Sequence, residues 1–153
     1  EGIMSVIIDF TLPNQDGEEI SWSSYRGKYL VLYFYPRDNT PGCTTEAVGF
    51  TALKDEFLQL NCEVVGVSKD SVKKHRNFCD KKELTITLLS DEEGVLLEDI
   101  GVWQQKKMAG REYMGIVRTT LLINPEGEIV KQWDKVKVKG HVEEVFNTLK
   151  AIQ

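Results

Sequence analysis

The sequence predicts a single α/β domain with a central mixed sheet, helices on both faces and an N-terminal β-hairpin. Apolar segments typical of buried strands alternate with amphipathic helical segments, and a later hairpin and a terminal helix follow them. Alternation of this kind favours a sheet covered by helices, while the hairpins add antiparallel strands. No linker, repeat or low-complexity segment interrupts the chain, so we expect one domain over residues 1–153.

Each element follows from local periodicity and its flanking residues. Apolar or alternating segments bounded by turn residues predict strands at 8–12, 18–22, 29–35, 63–68, 85–89, 116–123 and 128–133. Apolar residues at spacings of three and four predict helices at 41–60, at 71–82, in a short stretch after Asp91 and after Gly140. The stretch 101–115 is polar and punctuated by glycine, and we interpret it as a long loop or hairpin.

Composition excludes several classes of function. The net charge of −5 and the pI of about 5.1 disfavour a general nucleic-acid surface, which should be basic. No apolar run approaches the length of a membrane span, and residues 1–10 lack the layout of a signal peptide. We therefore expect a cytoplasmic protein with neither nucleic-acid nor membrane partners.

The cysteines point to redox chemistry rather than to a stapled scaffold. There are three, Cys43, Cys62 and Cys79, and an odd number without a secretory signal disfavours structural disulfides. The sequence contains no C-x-x-C and no Cys/His spacing suited to zinc. Free thiols in a reducing compartment fit this pattern best.

Cys43 lies at a predicted strand-to-helix junction. Thr40 can serve as the N-cap of the following helix, and Pro41 suits its first position, which places Cys43 in the first turn. Outward-pointing N–H groups and the helix dipole favour a thiolate there. Gly42 leaves the sulfur open to a small molecule. The alternative is an inert packing cysteine, which is the commoner role of a free buried thiol.

The residues around Cys43 are similar to a known signature. The pattern Pro36-x-x-x-Thr40-x-x-Cys43 resembles the active site of the peroxiredoxins, and YFYPRDNTPGCTTEA resembles the peroxiredoxin Q, or bacterioferritin comigratory protein, subfamily. Similar segments at 9–20, 88–96, 101–129 and 138–149 extend the resemblance over nearly the whole chain. It implies a thioredoxin-like fold and a thiol-dependent peroxidase that reduces hydrogen peroxide and organic hydroperoxides through a Cys43 sulfenic acid. This chemistry needs no metal or organic cofactor.

The resemblance also implies roles for residues around the nucleophile, each with a structural alternative. Thr40 would hydrogen-bond the sulfur and a peroxide oxygen, unless its hydroxyl only caps the helix. Pro36 would shield the sulfur from water, although alone it reads as a strand terminator. Arg118 would hold thiolate and peroxide, or else face outward from an edge strand. Glu46 would orient Arg118, or else be a solvent-facing carboxylate.

Recycling of the sulfenic acid depends on a second thiol. Many relatives carry a resolving cysteine five residues after the nucleophile, where this chain has Val48. Other relatives carry it on the following helix, and Cys79 fits that placement. The hypothesis is an intramolecular Cys43–Cys79 disulfide, reduced by thioredoxin or a similar dithiol protein, in a monomeric enzyme. Cys62 is interpreted as structural.

Two rival functions stay open at this point. One is a one-cysteine peroxidase whose Cys43 is reduced directly by an external thiol, and the other is a non-catalytic thioredoxin-fold binding module. A general disulfide oxidoreductase is disfavoured because C-x-x-C is missing. His75 and His141 are interpreted as surface or helix-start residues, and Trp103 as a packing residue near the site.

Overall fold

Ten strands, five helices and one 3-10 turn (Trp22–Tyr25) make up the part of the chain that the computed structural model describes, residues 4–5 and 9–153. The strands are β1 (Met4–Ser5), β2 (Thr11–Pro13), β3 (Glu19–Ser21), β4 (Tyr29–Phe34), β5 (Cys62–Ser68), β6 (Thr87–Ser90), β7 (Trp103–Met108), β8 (Arg111–Ile116), β9 (Thr119–Ile123) and β10 (Glu128–Trp133). The helices are α1 (Pro41–Ala52), α2 (Lys54–Gln59), α3 (Val72–Lys82), α4 (Val95–Ile100) and α5 (His141–Ile152). Within these described residues, no helix combines the length and apolar character needed to cross a membrane.

The central sheet is mixed, as predicted, with strand order β1-β10-β9-β4-β5-β6. β4 pairs in parallel with β5, which pairs in parallel with β6, whereas β4 and β9 are antiparallel. β4 lies in the interior of the sheet, and its residues from Leu30 to Phe34 have no exposed surface. Because β4 and β5 are parallel, their carboxyl ends meet at the same edge, where the loops that follow them come together.

Apolar layers cover both faces of this sheet. On one face, α1, α2, α3 and α5 contribute Phe50, Phe57, Phe78 and Val145 to a single buried cluster. On the other face, the 3-10 turn and α4 contribute Trp22 and Leu97 to a second cluster. The prediction of helices on both faces is therefore confirmed.

Both hairpins outside the central sheet agree with the sequence patterns. β2 and β3 pair antiparallel around the predicted turn and form the N-terminal hairpin, although residue 8, the first of the predicted strand 8–12, lies outside the described residues. The stretch 101–115 contains a hairpin rather than a long loop, since β7 and β8 pair from Trp103↔Ile116 to Met108↔Arg111.

Two predicted elements are interrupted in the structure. The helix predicted over 41–60 breaks at Leu53 (φ −100°, ψ 9°), and one non-helical residue does not disturb the apolar spacing enough to be seen in sequence. The strand predicted over 116–123 breaks at 117–118. There the Val117 N–H donates to the Val102 carbonyl and the Arg118 carbonyl accepts from Val136, because the chain is passing from the β7–β8 hairpin into the central sheet.

Gly66 in β5 makes room for the side chain of its cross-strand partner, Tyr33 in β4. A Cβ atom at Gly66 would lie 2.8 Å from Tyr33 Cζ, 2.9 Å from Tyr33 Oη and 3.0 Å from Leu88 Cδ2. Since Tyr33 and Leu88 are fully buried, neither can move away without disturbing the core. The glycine is therefore a packing requirement of the β4–β5 pair.

We expect Gly66→Ala to lower the free energy of unfolding by about 1–3 kcal/mol through overpacking, measured by denaturant titration of the reduced protein. Gly49→Ala is the matched control. Its Cβ would lie 3.0 Å from one Val142 methyl group, and alanine in a helix regains up to about 1 kcal/mol. Equal destabilisation by both substitutions would contradict this account of Gly66.

Candidate active site

Cys43 lies just after the junction between a buried strand of the central sheet and the helix that follows it. β4 ends at Phe34, a short loop follows, and α1 begins at Pro41, so that Cys43 occupies the first helical turn as predicted. Its side chain is buried, with a relative exposure of 1%. The Thr40 backbone is extended (φ −88°, ψ 157°) and its carbonyl accepts the Thr44 N–H at 2.9 Å, which makes Thr40 the N-cap by position.

Arg118 joins Cys43 to Glu46. Its Nη2 donates to Cys43 Sγ at 3.4 Å, and its Nη1 donates to Glu46 Oε1 at 2.7 Å. The alternative of an outward-facing arginine on an edge strand is therefore wrong, because Arg118 lies in the connection between β8 and β9 and points into a site. The alternative of a solvent-facing Glu46 is also wrong, since this side chain has no exposed surface.

Burial determines the electrostatics of this cluster. Loss of hydration raises the pKa of Glu46 from 4.5 to about 7, even though Arg118 pulls it down. Burial by itself would lower the pKa of Arg118, but the neighbouring Cys43 and Glu46 raise it. The guanidinium therefore remains a fixed cation beside the sulfur, where it can stabilise negative charge.

Tyr33 is a further polar group near this cluster that sequence reasoning missed. Burial, reinforced by the charges of Glu46 and Cys43, raises the pKa of Tyr33 well above 10.0, so its phenol stays neutral and keeps its proton. Among the described residues, Tyr33 Oη and Glu46 Oε2 are the two buried side-chain polar atoms without a hydrogen-bond partner. The only sequence signal was a tyrosine within an apolar strand, which packing explains equally well.

Thr40 and Pro36 lie in the loop that approaches Cys43. The Thr40 hydroxyl donates to the Arg37 carbonyl at 2.9 Å and makes no side-chain cap on α1. Within the described chain this hydroxyl makes no hydrogen bond to the Cys43 sulfur. Its oxygen still has lone pairs that can accept a hydrogen bond from another donor. Pro36 follows directly after the buried Tyr35 and is itself half-buried.

The other two cysteines are buried, and all three are free thiols. Cys79 lies in the C-terminal half of α3 and belongs to the same apolar cluster as Cys43. Burial raises the pKa of Cys79 to about 11, against a smaller lowering by Arg76. Burial also raises the pKa of Cys62, the first residue of β5, to about 12. Both groups are therefore neutral thiols at physiological pH.

The interpretation of the histidines as surface residues is wrong. His75 has no exposed surface and lies on α3 between the Asp38 carboxylate and the Leu89 carbonyl. His141 does begin α5, as predicted for a helix-start residue, but it is buried and hydrogen-bonds Thr120 Oγ1 at 2.8 Å. Burial lowers the pKa of His141. In sequence, neither His75 between Lys74 and Arg76 nor His141 after Gly140 gave a sign of these buried partners.

Comparison with known proteins agrees with this geometry. Residues 3–132 match the model of the AhpC/TSA family. The chain belongs to this family. It is 51% identical over 142 residues to peroxiredoxin Bcp of Bacillus subtilis, covering 93% of this chain and 90% of the relative.

Solved structures give the same result. The fold superposes on peroxiredoxin Q of Xanthomonas campestris with a TM-score of 0.90 at 42% identity, covering 97% of this chain and 94% of the other. It matches equally well, at 41% identity and with 97% and 95% coverage, a bacterioferritin comigratory protein from the same organism studied for alkyl peroxide reduction in trapped intermediate and ligand complexes. The predicted thioredoxin-like fold is confirmed, and the protein is a thiol-dependent peroxidase that acts on peroxides.

The raised pKa of Glu46 predicts a pH-dependent contribution to stability. Because the folded-state pKa lies above the unfolded value, the folded protein binds more protons between pH 4.5 and about 7, and stability is lost as pH rises through this window. We expect Glu46→Gln, which can still accept from Arg118, to become more stable relative to the native protein as pH rises from 4.5 to 8, by up to about 3 kcal/mol. Denaturant titrations of both reduced proteins across this range measure it, and a constant difference would contradict the expected shift.

Proposed function

We propose that Cys43 is the peroxidatic cysteine of this peroxidase and that Arg118, held by Glu46, activates it. The observation that carries the proposal is the forked contact of Arg118 with Cys43 Sγ and Glu46 Oε1. A fixed cation at hydrogen-bond distance from a sulfur in the first turn of a helix favours the thiolate, which is the nucleophilic form. Among the described residues, Cys62 and Cys79 accept no hydrogen bond from a guanidinium, and burial raises the pKa of both, which keeps them protonated.

The first step is a displacement at oxygen. The Cys43 thiolate attacks the terminal oxygen of a hydroperoxide, so that an S–O bond forms and the O–O bond breaks. Sulfur is oxidised to a sulfenic acid, and the other oxygen leaves as hydroxide or alkoxide and takes up a proton from solvent. Negative charge thus moves from sulfur to the leaving oxygen, and Arg118 is placed to stabilise both ends of this movement.

The remaining site residues position this step. The bond from Arg118 to buried Glu46 fixes the guanidinium plane and reduces the side-chain entropy lost when a peroxide binds. The Thr40 hydroxyl, three residues before Cys43, would turn from the Arg37 carbonyl towards a bound peroxide oxygen. Half-buried Pro36 would limit access of water to the sulfur.

We further propose that Cys79 resolves the sulfenic acid. The Cys79 thiol attacks the Cys43 sulfur, an S–S bond forms, and the sulfenic hydroxyl leaves as water with the thiol proton. A dithiol reductant of the thioredoxin type then returns both cysteines to thiols. Cys43 and Cys79 share one buried cluster, and α3 ends only three residues beyond Cys79, at Lys82, where a helix frays most easily.

A solved relative supports this pairing. Peroxiredoxin Q of Xanthomonas campestris has been solved in two variants, each with one cysteine replaced by serine. The two substituted positions are thirty-six residues apart, and the same spacing separates Cys43 from Cys79 here. Because both thiols belong to one chain, we propose that the enzyme works as a monomer, and its free cysteines fit the reducing cytoplasm.

Substitution of Arg118 tests the role of the cation. We expect Arg118→Gln to lower the rate constant for Cys43 oxidation by hydrogen peroxide by on the order of 10²-fold. The reason is that the positive charge that stabilises both the sulfur and the leaving oxygen is removed. Arg118→Lys should recover only part of this rate, since an ammonium group cannot contact Cys43 and Glu46 in the same fork. Stopped-flow measurements give the rate constants, and an unchanged rate in Arg118→Gln would reject the proposal.

Substitution of Cys79 tests the recycling route. After one equivalent of hydrogen peroxide without added thiol, the native protein should give a Cys43–Cys79 cross-linked peptide in mass spectrometry. Cys79→Ser should stop at a Cys43 sulfenic or sulfinic acid and lose thioredoxin-supported turnover, while Cys62→Ser, the matched control, should retain both the cross-link and turnover. Full turnover in Cys79→Ser would instead establish a one-cysteine peroxidase.

A further inference from the structure

A buried polar network ties the loop that carries Cys43 to the helix that carries Cys79. His75 Nδ1 lies 2.7 Å from Asp38 Oδ2, and His75 Nε2 lies 2.9 Å from the Leu89 carbonyl oxygen. Asp38 is five residues before Cys43, and His75 is four residues before Cys79 on α3. The contact thus joins the two segments that carry the cysteines, a few residues before each cysteine.

The chemistry of this contact makes it a strong one. A carbonyl oxygen can only accept, so His75 Nε2 donates to Leu89, and Nδ1 shares a proton with the Asp38 carboxyl group. Both side chains are almost fully buried, so this hydrogen bond is shielded from water. The other oxygen of Asp38 accepts from the Tyr35 hydroxyl at 2.6 Å, so the carboxylate is fixed from two sides.

The loop has a second anchor that does not involve α3. The Asp38 N–H donates to Asp70 Oδ2 at 2.9 Å, and Ser68 Oγ donates to the same oxygen at 2.7 Å. Ser68 is the last residue of β5, and Asp70 follows two residues later. This anchor therefore holds the loop onto the sheet even when His75 is replaced. The position of Cys43 therefore does not depend on the Asp38–His75 pair. Loss of the pair should instead change how firmly α3 is held.

We infer that the Asp38–His75 pair is a pin that stays in place while the C-terminal half of α3 unwinds, so that Cys79 reaches Cys43 on a short tether. The inference rests on the proposed role of Cys79 as the resolving cysteine. With the pin in place, Cys79 moves on a tether of four residues from His75. Without it, the nearest anchor described above is Asp70, which is bonded to Asp38 and Ser68 and lies nine residues before Cys79.

Tether length determines the local concentration of the resolving thiol. If that concentration falls as the −3/2 power of tether length, the change from four to nine residues lowers it about threefold. His75 is in this sense a positioning residue, since it acts on the resolving step through Cys79 and touches neither sulfur nor peroxide. Its loss should slow condensation of the sulfenic acid with Cys79 without slowing formation of the sulfenic acid.

The test is rapid-quench mass spectrometry of the reduced protein after one equivalent of hydrogen peroxide, following Cys43 oxidation and disulfide formation separately. We expect His75→Asn to slow disulfide formation about threefold, with Cys43 oxidation changed less than twofold. Because the sulfenic acid then lives longer, sulfinic acid on Cys43 should also accumulate more at high peroxide. A structural weakening of α3 alone would instead expose Cys79 and speed the disulfide.

Two further variants keep the test decisive. Asp38→Asn preserves every hydrogen bond, because the introduced amide can donate to His75 Nδ1 and accept from the Tyr35 hydroxyl, so it should fold normally and slow disulfide formation only about twofold. Lys73→Gln is the control, since it changes an exposed residue of the same helix and leaves the Asp38–His75 contact intact.

Each outcome decides between the two proposals. Unchanged or faster disulfide formation in His75→Asn and Asp38→Asn would overturn the pin while leaving Cys79 as the resolving cysteine. Equal slowing by Lys73→Gln would also overturn it, because the effect would then not depend on the Asp38–His75 contact. Failure of the native protein to form a Cys43–Cys79 disulfide would remove the resolving role and the pin together.

Discussion

The ion pair between Arg118 and Glu46 is the interaction on which the active site depends. It brings together the first helix after β4 and the connection between β8 and β9, which are far apart in sequence. A buried carboxylate is stabilised by a neighbouring cation, and Nη2 of the same guanidinium donates to Cys43 Sγ. The need to neutralise Glu46 thus places a fixed positive charge at the sulfur before any peroxide arrives.

The sheet explains why this pair can form where it does. β4 is buried on both faces and lies between a parallel and an antiparallel neighbour, so its carboxyl end is a rigid starting point for α1. β5 ends at the same edge with Ser68, whose hydroxyl bonds Asp70, and Asp70 in turn accepts the Asp38 N–H of the loop. Buried polar groups at this edge are hydrogen-bonded to one another, which makes the loop geometry specific rather than merely compact.

The segments that carry Cys43 and Cys79 are held in the fold by different sets of contacts. The Cys43 segment is held by the sheet, by Asp70 and by Arg118, whereas the Cys79 segment is the C-terminal half of a helix that ends at Glu83 in the left-handed region (φ 54°). A non-glycine residue in this conformation is strained, which favours fraying at the end of the helix. In the proposed cycle, Cys43 would react in its preorganised site and Cys79 would move from the helix to reach it.

Local patterns were enough to predict most of the elements. Strands such as 63–68 and helices such as 71–82 follow from apolar spacing and from caps, because the same burial that shapes the sequence also shapes the fold. Thr40 as N-cap and Pro41 at the first helical position placed Cys43 in the first helical turn. The breaks at Leu53 and at 117–118 were missed, since each leaves the apolar pattern intact. The break at 117–118 accompanies hydrogen bonds to Val102 and Val136, which lie elsewhere in the chain.

The sequence by itself determined that Cys43 stands at the start of a helix, since capping and proline geometry act over a few residues. Only the tertiary structure decided what surrounds it. Arg118 could have faced solvent and Glu46 could have lain on an exposed helix face, and neither choice is encoded locally. His75 and Asp38 are thirty-seven residues apart. Their contact exists because parallel pairing of β4 and β5 brings the following loop and helix to one edge of the sheet, which no local pattern can show.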